Sequence, residues 1–236
     1  MYIGSNFLIS SSINLAKKLQ IPDLIIGVTI IAIATSLPEL FVLMNSATND
    51  QYGSDLAYGT ILGSNIANTA LILGGCILLS KKNSFINNLT NYKNQIHLIF
   101  LSTIIFAYLS LKGSGLIELS FSLLVILFIL SFTNIKLNNE LNKTNEKSFL
   151  VKDLFVIIFS ITSIWIGSNL LVSSGIELIE KFNATSSQIG TVFLALSTSA
   201  PEIFTSLIAI IKFNKSGFVV GNVIGSNLLN QLLILG

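Results

Sequence analysis

Long apolar segments alternate with short polar connectors along the whole chain, and each segment is close to the length of a membrane-spanning helix. Such a helix needs about 20 mostly apolar residues. A transmembrane β-barrel would instead show short segments of alternating hydrophobicity. The pattern therefore predicts an all-α polytopic membrane protein with eight spans, at residues 2–16, 24–46, 57–80, 95–111, 115–135, 153–175, 187–212 and 217–236.

The composition agrees with this interpretation and removes several classes of function. Hydrophobic residues make up 52% of the chain and charged residues only 10%, and the mean hydropathy is +0.79. A single cysteine and a single histidine exclude a disulfide framework and a Cys/His metal cluster. The lysines are spread over short loops, so nucleic-acid binding is not indicated. Without a phosphate-binding loop or a nucleophile–base set, we expect neither an enzyme nor a cofactor.

The distribution of lysines predicts the orientation in the membrane. When the connectors are assigned alternately to two sides, all of the 13 cationic residues except Lys112 and Lys181 fall on one side. Cytoplasmic loops carry an excess of lysine and arginine, so the lysine-rich side is expected to be cytoplasmic. The N-terminus then lies outside.

An internal repeat relates the two halves of the chain. An offset of 163 residues maps Thr35–Glu39 onto Thr198–Glu202, and an offset of 162 maps Ser64–Asn68 onto Ser226–Asn230. Five spans, an odd number, separate equivalent points, so the two copies enter the membrane from opposite sides. Inverted repeats of this kind place substrate sites near the midplane, on broken helices.

The repeat predicts the organisation of the chain into two five-helix halves. The first half holds the spans at 24–46 and 57–80, and the second holds those at 187–212 and 217–236. The second half has three spans, so eight of an expected ten are present. The boundaries are a first inverted repeat at 1–135, a cytoplasmic linker at 136–152, and an incomplete second repeat at 153–236.

Glu39 and Glu202 carry the candidate chemistry, because each follows a proline inside an apolar run. A charged residue in the middle of a membrane costs about 2.5–3.5 kcal/mol on insertion scales, so by default it marks function. The proline lacks an N–H group and frees a backbone carbonyl nearby. Two carboxylates at repeat-equivalent positions therefore point to a site rather than to packing.

Hydroxyl and amide groups accompany both carboxylates at helical spacing. Ser36 lies three positions before Glu39, and Ser64 lies four before Asn68, so each pair shares a helix face. Together with the second copy they form a set of hard oxygen ligands, which suits Na⁺ and Ca²⁺ rather than zinc or copper. Two alternatives stay open, since such hydroxyls can bond their own preceding carbonyls and glycine pairs can serve helix packing.

The paired motifs resemble the α-repeats of the sodium/calcium exchanger (cation/Ca²⁺ antiporter) family. They read Gly27–Glu39 with Gly59–Asn68, and Gly190–Glu202 with Gly221–Asn230. The resemblance covers nearly the whole chain and is closest to the compact prokaryotic type, apparently truncated at the C-terminus. It implies an antiporter of the prokaryotic cell (inner) membrane that exchanges Na⁺ for Ca²⁺ by alternating access. Its partners would be these ions and the lipid bilayer, and spans one and six would form a sliding gate.

The resemblance also implies a set of Na⁺/Ca²⁺ ligands, matched position by position. Carboxylates, hydroxyls, amide oxygens and two backbone carbonyls contribute, from Glu39, Glu202, Thr35, Ser36, Ser64, Thr198, Ser199, Ser226, Asn68, Asn230, Ala32 and Ala195. Asn230 stands where potassium-dependent exchangers carry aspartate, and Pro-Glu differs from the pattern of proton-coupled relatives. H⁺- or K⁺-coupled cation exchange on the same scaffold stays an alternative, as does a non-transporting truncated remnant.

Overall fold

A computed structural model of the chain describes residues 1–48, 53–80, 150–181 and 188–235, together with the single positions 85, 93, 97, 101 and 104. Every regular element in this part of the chain is a helix, which confirms the predicted helical class. The predicted linker at 136–152 and the spans at 95–111 and 115–135 lie almost entirely outside the described residues. Their boundaries stay predictions, as does the count of eight spans.

The helices follow the predicted apolar segments, with boundaries that differ by a few residues. Two of the segments include a turn of π-helix, named π1 and π2. The elements are α1 (Tyr2–Leu19), α2 (Asp23–Ile26), π1 (Gly27–Ile31), α3 (Ala32–Thr35), α4 (Leu37–Thr48), α5 (Gly53–Ile66), π2 (Ala67–Leu73), α6 (Gly74–Leu79), α7 (Leu150–Lys181), α8 (Gln188–Thr198), α9 (Ala200–Ile211) and α10 (Ser216–Leu235).

Two predicted spans are broken at repeat-equivalent positions. The axis bends by 41° at Ser36, between α3 and α4, and by 50° at Ser199, between α8 and α9. A proline lies two residues after each break, where its missing N–H interrupts the ladder of helical hydrogen bonds. The broken helices predicted from the Pro-Glu motifs are thus present in both halves.

The described residues contain helices suited to a bilayer. Gly59–Leu79 and Lys152–Ser174 are each long and apolar enough to cross a membrane, and the two bent helix pairs also qualify if each is counted as one span. The predicted segments at 2–16 and 217–236 correspond to the helices α1 and α10.

Small residues allow the two halves to approach each other closely. A Cβ atom added to Gly63 would lie 2.6 Å from the Cβ of Ala195, and one added to Gly225 would lie 2.5 Å from the Cβ of Ala32. These two contacts are equivalent under the repeat. They confirm the packing role that the glycine spacing predicts, and each joins a helix of one half to the broken helix of the other.

Two ion pairs join helix ends and a connector that are distant in sequence. Lys18, near the end of α1, contacts Asp153 at 2.5 Å, and Lys215 contacts Asp23 at 2.8 Å. All four residues lie in or beside connectors that the lysine distribution assigns to one side. Each pair connects the first half of the chain to the second.

Candidate cation-binding site

The two carboxylates lie at the starts of the second halves of the broken helices. Glu39 occupies the first turn of α4 and Glu202 the first turn of α9, and both side chains are completely buried. The N-terminus of a helix carries a partial positive charge, which favours a carboxylate in the first turn. The breaks at Ser36 and Ser199 therefore bring each carboxylate to a favourable helix end in the interior of the protein.

Hydroxyl groups from both halves surround Glu39. Ser64 Oγ donates a hydrogen bond to Glu39 Oε1 at 3.0 Å, and Thr198 lies beside the same carboxylate. Ser199 Oγ in turn donates to Ser64 Oγ at 2.9 Å. The environment of this first carboxylate is thus built from α5 of its own half and α8 of the other.

Glu202 has the repeat-equivalent environment, in which the two halves of the chain exchange their roles. Ser36 Oγ donates to Glu202 Oε1 at 3.3 Å, and Ser226 Oγ donates to the same oxygen at 3.4 Å. Thr35 also lies beside this carboxylate. The structure therefore brings the serine and threonine residues named from the sequence to the two glutamates, with each glutamate contacted by both halves.

Four buried oxygen atoms of these side chains accept no hydrogen bond from any described residue. They are Oε2 of Glu39, Oε2 of Glu202, Oδ1 of Asn68 and Oδ1 of Asn230, and all four side chains are fully buried. A buried acceptor without a partner costs about 1–3 kcal/mol, and more when it is charged. They form two repeat-related pairs, and a bound cation would supply a partner to all four.

The amide nitrogen atoms of the two asparagines are already engaged in hydrogen bonds. Asn68 Nδ2 donates to Asn227 Oδ1 at 3.1 Å, and Asn230 Nδ2 donates to Asn65 Oδ1 at 3.0 Å. Asn230 Nδ2 also lies 3.3 Å from Ser64 Oγ. The amide nitrogen of each asparagine is thereby bound to a neighbouring side chain, and the amide oxygen is left to contact another partner.

The threonine hydroxyls and the alanine carbonyls form local hydrogen bonds. Thr35 Oγ1 lies 3.3 Å from the carbonyl oxygen of Ala32, and Thr198 Oγ1 donates to that of Ala195 at 3.0 Å. Both carbonyl oxygens also accept the backbone N–H group of the residue four positions later. To bind an ion, Ala32 and Ala195 would have to give up one of these partners, so their role as ligands stays a prediction.

One buried asparagine without a repeat counterpart holds Thr35. Thr35 Oγ1 donates to Asn222 Oδ1 at 3.0 Å, while Asn222 Nδ2 donates to the hydroxyls of Thr205 and Ser206, each at 3.2 Å. The repeat places Thr60 at the equivalent position, so internal symmetry gives no signal for Asn222. By contrast, Asn65 and Asn227 belong to the repeated Gly-Ser-Asn motif, which marks them although they were not among the predicted ligands.

The chemistry of this site is that of hard oxygen donors. Among the described residues, no three or more His, Cys, Asp or Glu side chains group together in a way that could hold a metal ion. The donors here are two carboxylates with hydroxyls and amide oxygens, a set that suits Na⁺ and Ca²⁺. The two carboxylates can balance the charge of one Ca²⁺ or of two Na⁺ ions.

Comparison with known proteins places these features in a family. A model of the sodium/calcium exchanger protein family matches residues 1–138 and 152–236. The sodium/calcium exchanger MaX1 of Methanosarcina acetivorans is 30% identical over 279 residues, which cover 99% of this chain and 77% of that protein. The inner membrane protein YrbG of Escherichia coli is 28% identical over 254 residues, which cover all of this chain and 74% of that protein.

Solved structures of a sodium/calcium exchanger share the fold. The structure of the exchanger from Methanococcus jannaschii superposes with a TM-score of 0.73 at 28% identity and covers 100% of this chain and 76% of that one. A structure of NCX_Mj soaked with 2.5 mM Na⁺ and 10 mM Sr²⁺ gives a TM-score of 0.74 at 26% identity, over 99% of this chain and 76% of that one.

Proposed function

The chain belongs to the sodium/calcium exchanger family of membrane transporters, and we propose that it exchanges Na⁺ for Ca²⁺ across its membrane by alternating access. Membership makes it a cation/Ca²⁺ antiporter rather than an enzyme. Na⁺ as the coupling ion, and the binding of both ions at the site around Glu39 and Glu202, form the proposal.

The observation that carries the proposal is the set of four buried oxygens without hydrogen-bond donors among the described residues, on Glu39, Glu202, Asn68 and Asn230. A divalent cation between the two carboxylates would balance their charge and supply the missing partner to the oxygens. Two Na⁺ ions would do the same at separate positions. Competition of the two ions for one set of oxygens is what an exchanger needs, because only one cargo can then occupy the site at a time.

The packing of α1 against α7 supports a gate that slides along the rest of the protein. The two helices run antiparallel, and small residues lie at their contact. A Cβ atom on Gly4 would lie 3.1 Å from the carbonyl oxygen of Ser160, and one on Gly167 would lie 3.0 Å from Cγ of Met1. A glycine at each contact carries no side chain of its own to interlock with the other helix, which favours movement along the helix axis. We propose that this pair of helices opens the site to either side in turn.

The proposed orientation places the N-terminus outside the cell. The lysine distribution supports it through the positive-inside rule. The ion pairs Lys18–Asp153 and Lys215–Asp23 are consistent with it, since all four residues lie in or beside connectors assigned to the same cytoplasmic side.

The decisive experiment measures ⁴⁵Ca²⁺ uptake by proteoliposomes loaded with Na⁺ and diluted into Na⁺-free buffer. We expect uptake that depends on the outward Na⁺ gradient and is lost in Glu39→Gln, because the substitution keeps the shape and removes the charge. Glu177→Gln, which alters an exposed glutamate on α7 away from the site, is the matched control and should transport normally.

The coupling ion is identified by changing the cation inside the proteoliposomes. Uptake driven equally well by an outward H⁺ or K⁺ gradient without Na⁺ would replace the proposal by H⁺- or K⁺-coupled exchange. Ca²⁺ binding without uptake under any gradient would point to a non-transporting protein on the same scaffold.

A further inference from the structure

A chain of hydrogen bonds across the two halves ends at one of the candidate ligands. It starts at Thr69 in the π2 turn, passes through Asn227 on α10, and reaches Asn68 one residue before Thr69. Turns of π-helix occur frequently at functional sites. Of its three members, only Asn68 is a candidate ligand, so Thr69 and Asn227 are not proposed to contact the ion.

The direction of this chain is fixed by its first member. Thr69 Oγ1 donates its only proton to the carbonyl oxygen of Asn65 at 2.9 Å, and a carbonyl oxygen can only accept. Towards Asn227 the hydroxyl of Thr69 must therefore act as acceptor. The group of Asn227 that faces it, at 3.0 Å, has to be the Nδ2 amide.

The orientations of the Asn227 and Asn68 amides follow by elimination. With its nitrogen turned to Thr69, Asn227 presents Oδ1 to Asn68, and this oxygen can only accept. Asn68 must then offer Nδ2, at 3.1 Å, and its own Oδ1 points away. That oxygen is one of the four site oxygens that accept no hydrogen bond from the described residues.

We infer that Thr69 and Asn227 are positioning residues, which hold the amide of Asn68 in the orientation that offers its oxygen, rather than its N–H groups, to the transported cation. The inference rests on the proposed function, in which Asn68 binds the cation. An amide has similar size in both orientations, so shape alone does not distinguish them. The reversed amide would direct two N–H donors at a cation, which opposes binding.

The second half of the site contains the repeat-equivalent pair of asparagines but has no threonine beside it. Asn230 Nδ2 is held by Asn65 Oδ1 and lies near Ser64 Oγ, whose own proton goes to Glu39. The position equivalent to Thr69 is Gln231 rather than a hydroxyl residue. Substitution of Thr69 therefore acts on Asn68 and leaves the contacts of Asn230 with Asn65 and Ser64 in place.

The test compares Thr69→Val with Thr69→Ser in the full chain. Valine keeps the size of threonine but removes the acceptor, so Asn227 and then Asn68 can reverse. Losing the one hydrogen bond that favours the correct orientation of the amide should weaken Ca²⁺ binding by about three- to tenfold. We expect the KM for Ca²⁺ in the uptake assay to rise by that factor with Vmax retained, and serine to restore the KM of the original protein.

A second substitution distinguishes positioning from a general structural role. In Asn68→Asp both side-chain oxygens are equivalent, so no orientation has to be set. Adding Thr69→Val to Asn68→Asp should therefore leave the KM unchanged relative to Asn68→Asp alone. An equal increase in both backgrounds, an unchanged KM in Thr69→Val, or a fall in Vmax alone would overturn the inference.

The failure of the proposed function can be recognised separately. Ca²⁺ binding by the purified protein, measured as the rise in Tm on adding Ca²⁺, does not depend on Na⁺ coupling. If the original protein binds Ca²⁺ but does not exchange it for Na⁺, the proposed function fails and the same variants are judged by their Ca²⁺ affinity. If the original protein binds no Ca²⁺ at all, both the function and the positioning role are overturned.

Discussion

Gly27 of π1 and Gly221 of α10 lie in direct backbone contact, so that a Cβ atom on Gly27 would lie 2.9 Å from the Cα atom of Gly221. The contact joins the broken helix of the first half to the last described helix of the chain. It fixes how closely π1 approaches α10, the helix that carries Ser226.

Replacing Gly221 by alanine should destabilise the protein. The new Cβ would lie 2.5 Å from the carbonyl oxygen of Leu24 and 2.8 Å from the Cα atom of Gly27, and neither backbone atom can move easily. Overpacking of this kind typically costs about 1–3 kcal/mol. Thermal unfolding in detergent should show a lower Tm for Gly221→Ala.

The matched control for that prediction is Gly75→Ala. A Cβ atom on Gly75 would meet nothing within 4 Å, and alanine favours a helix over glycine by about 1 kcal/mol or less. This variant should be as stable as the original protein or slightly more stable. Equal Tm values for the two alanine variants would contradict the close contact at Gly221.

Replacing Glu202 by glutamine should separate stability from ion binding. In the absence of ions, Glu202 is a buried carboxylate with one oxygen that lacks a donor among the described residues. Removing the charge should raise the free energy of unfolding of the ion-free protein, because a buried charge without a counter-ion is more costly than a buried neutral amide. The same variant should lose the increase in Tm that Ca²⁺ gives, because half of the compensating charge is gone.

That result is read from two unfolding curves for each protein, one with a chelator and one with Ca²⁺. Glu177→Gln should change neither curve. A Glu202→Gln variant that is less stable than the original protein without ions, or that still responds fully to Ca²⁺, would show that the site does not bind the cation through this carboxylate.

Asn222 is expected to affect Ca²⁺ affinity although it is not a predicted ligand. It accepts the proton of Thr35, which lies beside Glu202, and it donates to Thr205 and Ser206. Asn222→Leu keeps a similar volume but leaves these buried groups without their partner. We expect the KM for Ca²⁺ uptake to rise about tenfold, which corresponds to about 1.4 kcal/mol.

The control for Asn222 comes from the repeat. Asn222→Thr introduces the residue that the first half has at the equivalent position, Thr60, and keeps a group able to accept from Thr35. Its KM should lie between those of the leucine variant and the original protein. A leucine variant with normal KM would mean that the orientation of Thr35 does not matter for the ion.

The two ion pairs should differ in their contribution to stability. The side chains of Lys18 and Asp153 are 18% and 11% exposed, whereas those of Lys215 and Asp23 are 33% and 26% exposed. Breaking a more buried pair leaves a charge that is poorly solvated, while exposed pairs contribute only about 0–1 kcal/mol. Asp153→Asn should therefore lower the Tm more than Asp23→Asn.

Salt provides the check on this comparison. Raising the ionic strength screens exposed charges more effectively than buried ones. The small effect of Asp23→Asn should vanish in high salt, and that of Asp153→Asn should largely persist. The reverse order of the two effects would contradict the burial seen in the structure.

The sequence predicted the parts of the site that are repeated. Glu39 and Glu202 were identified because a carboxylate after a proline occurs twice in apolar runs, and the structure buries both beside hydroxyls from the other half. The pattern could not reveal how the asparagine amides are oriented, because that depends on partners such as Thr69 and Asn227, which are 158 residues apart. Asn222 was missed because the repeat offers Thr60 in its place.

The helix breaks were predictable because they depend on local sequence, whereas the contacts between distant helices were not. Helix breaks at Ser36 and Ser199 follow from the local effect of Pro38 and Pro201, so sequence alone predicted them. The contacts of Gly27 with Gly221 and of Gly63 with Ala195 depend on how two distant helices cross. Small-residue spacing indicated that packing occurs there but could not identify the partner.

The contacts of Asn68 with Asn227 and of Ser36 with Glu202 join residues 159 and 166 positions apart, and this separation has a consequence for biosynthesis. While the chain is being made, Glu39 enters the membrane long before Glu202 or α10 exists. The first carboxylate must then stay without its neighbours from the second half, Thr198 and Ser199, until synthesis has passed residue 199. Folding of this protein is consequently completed late, and a ribosome that stops early releases a half-site with one carboxylate and no counterpart.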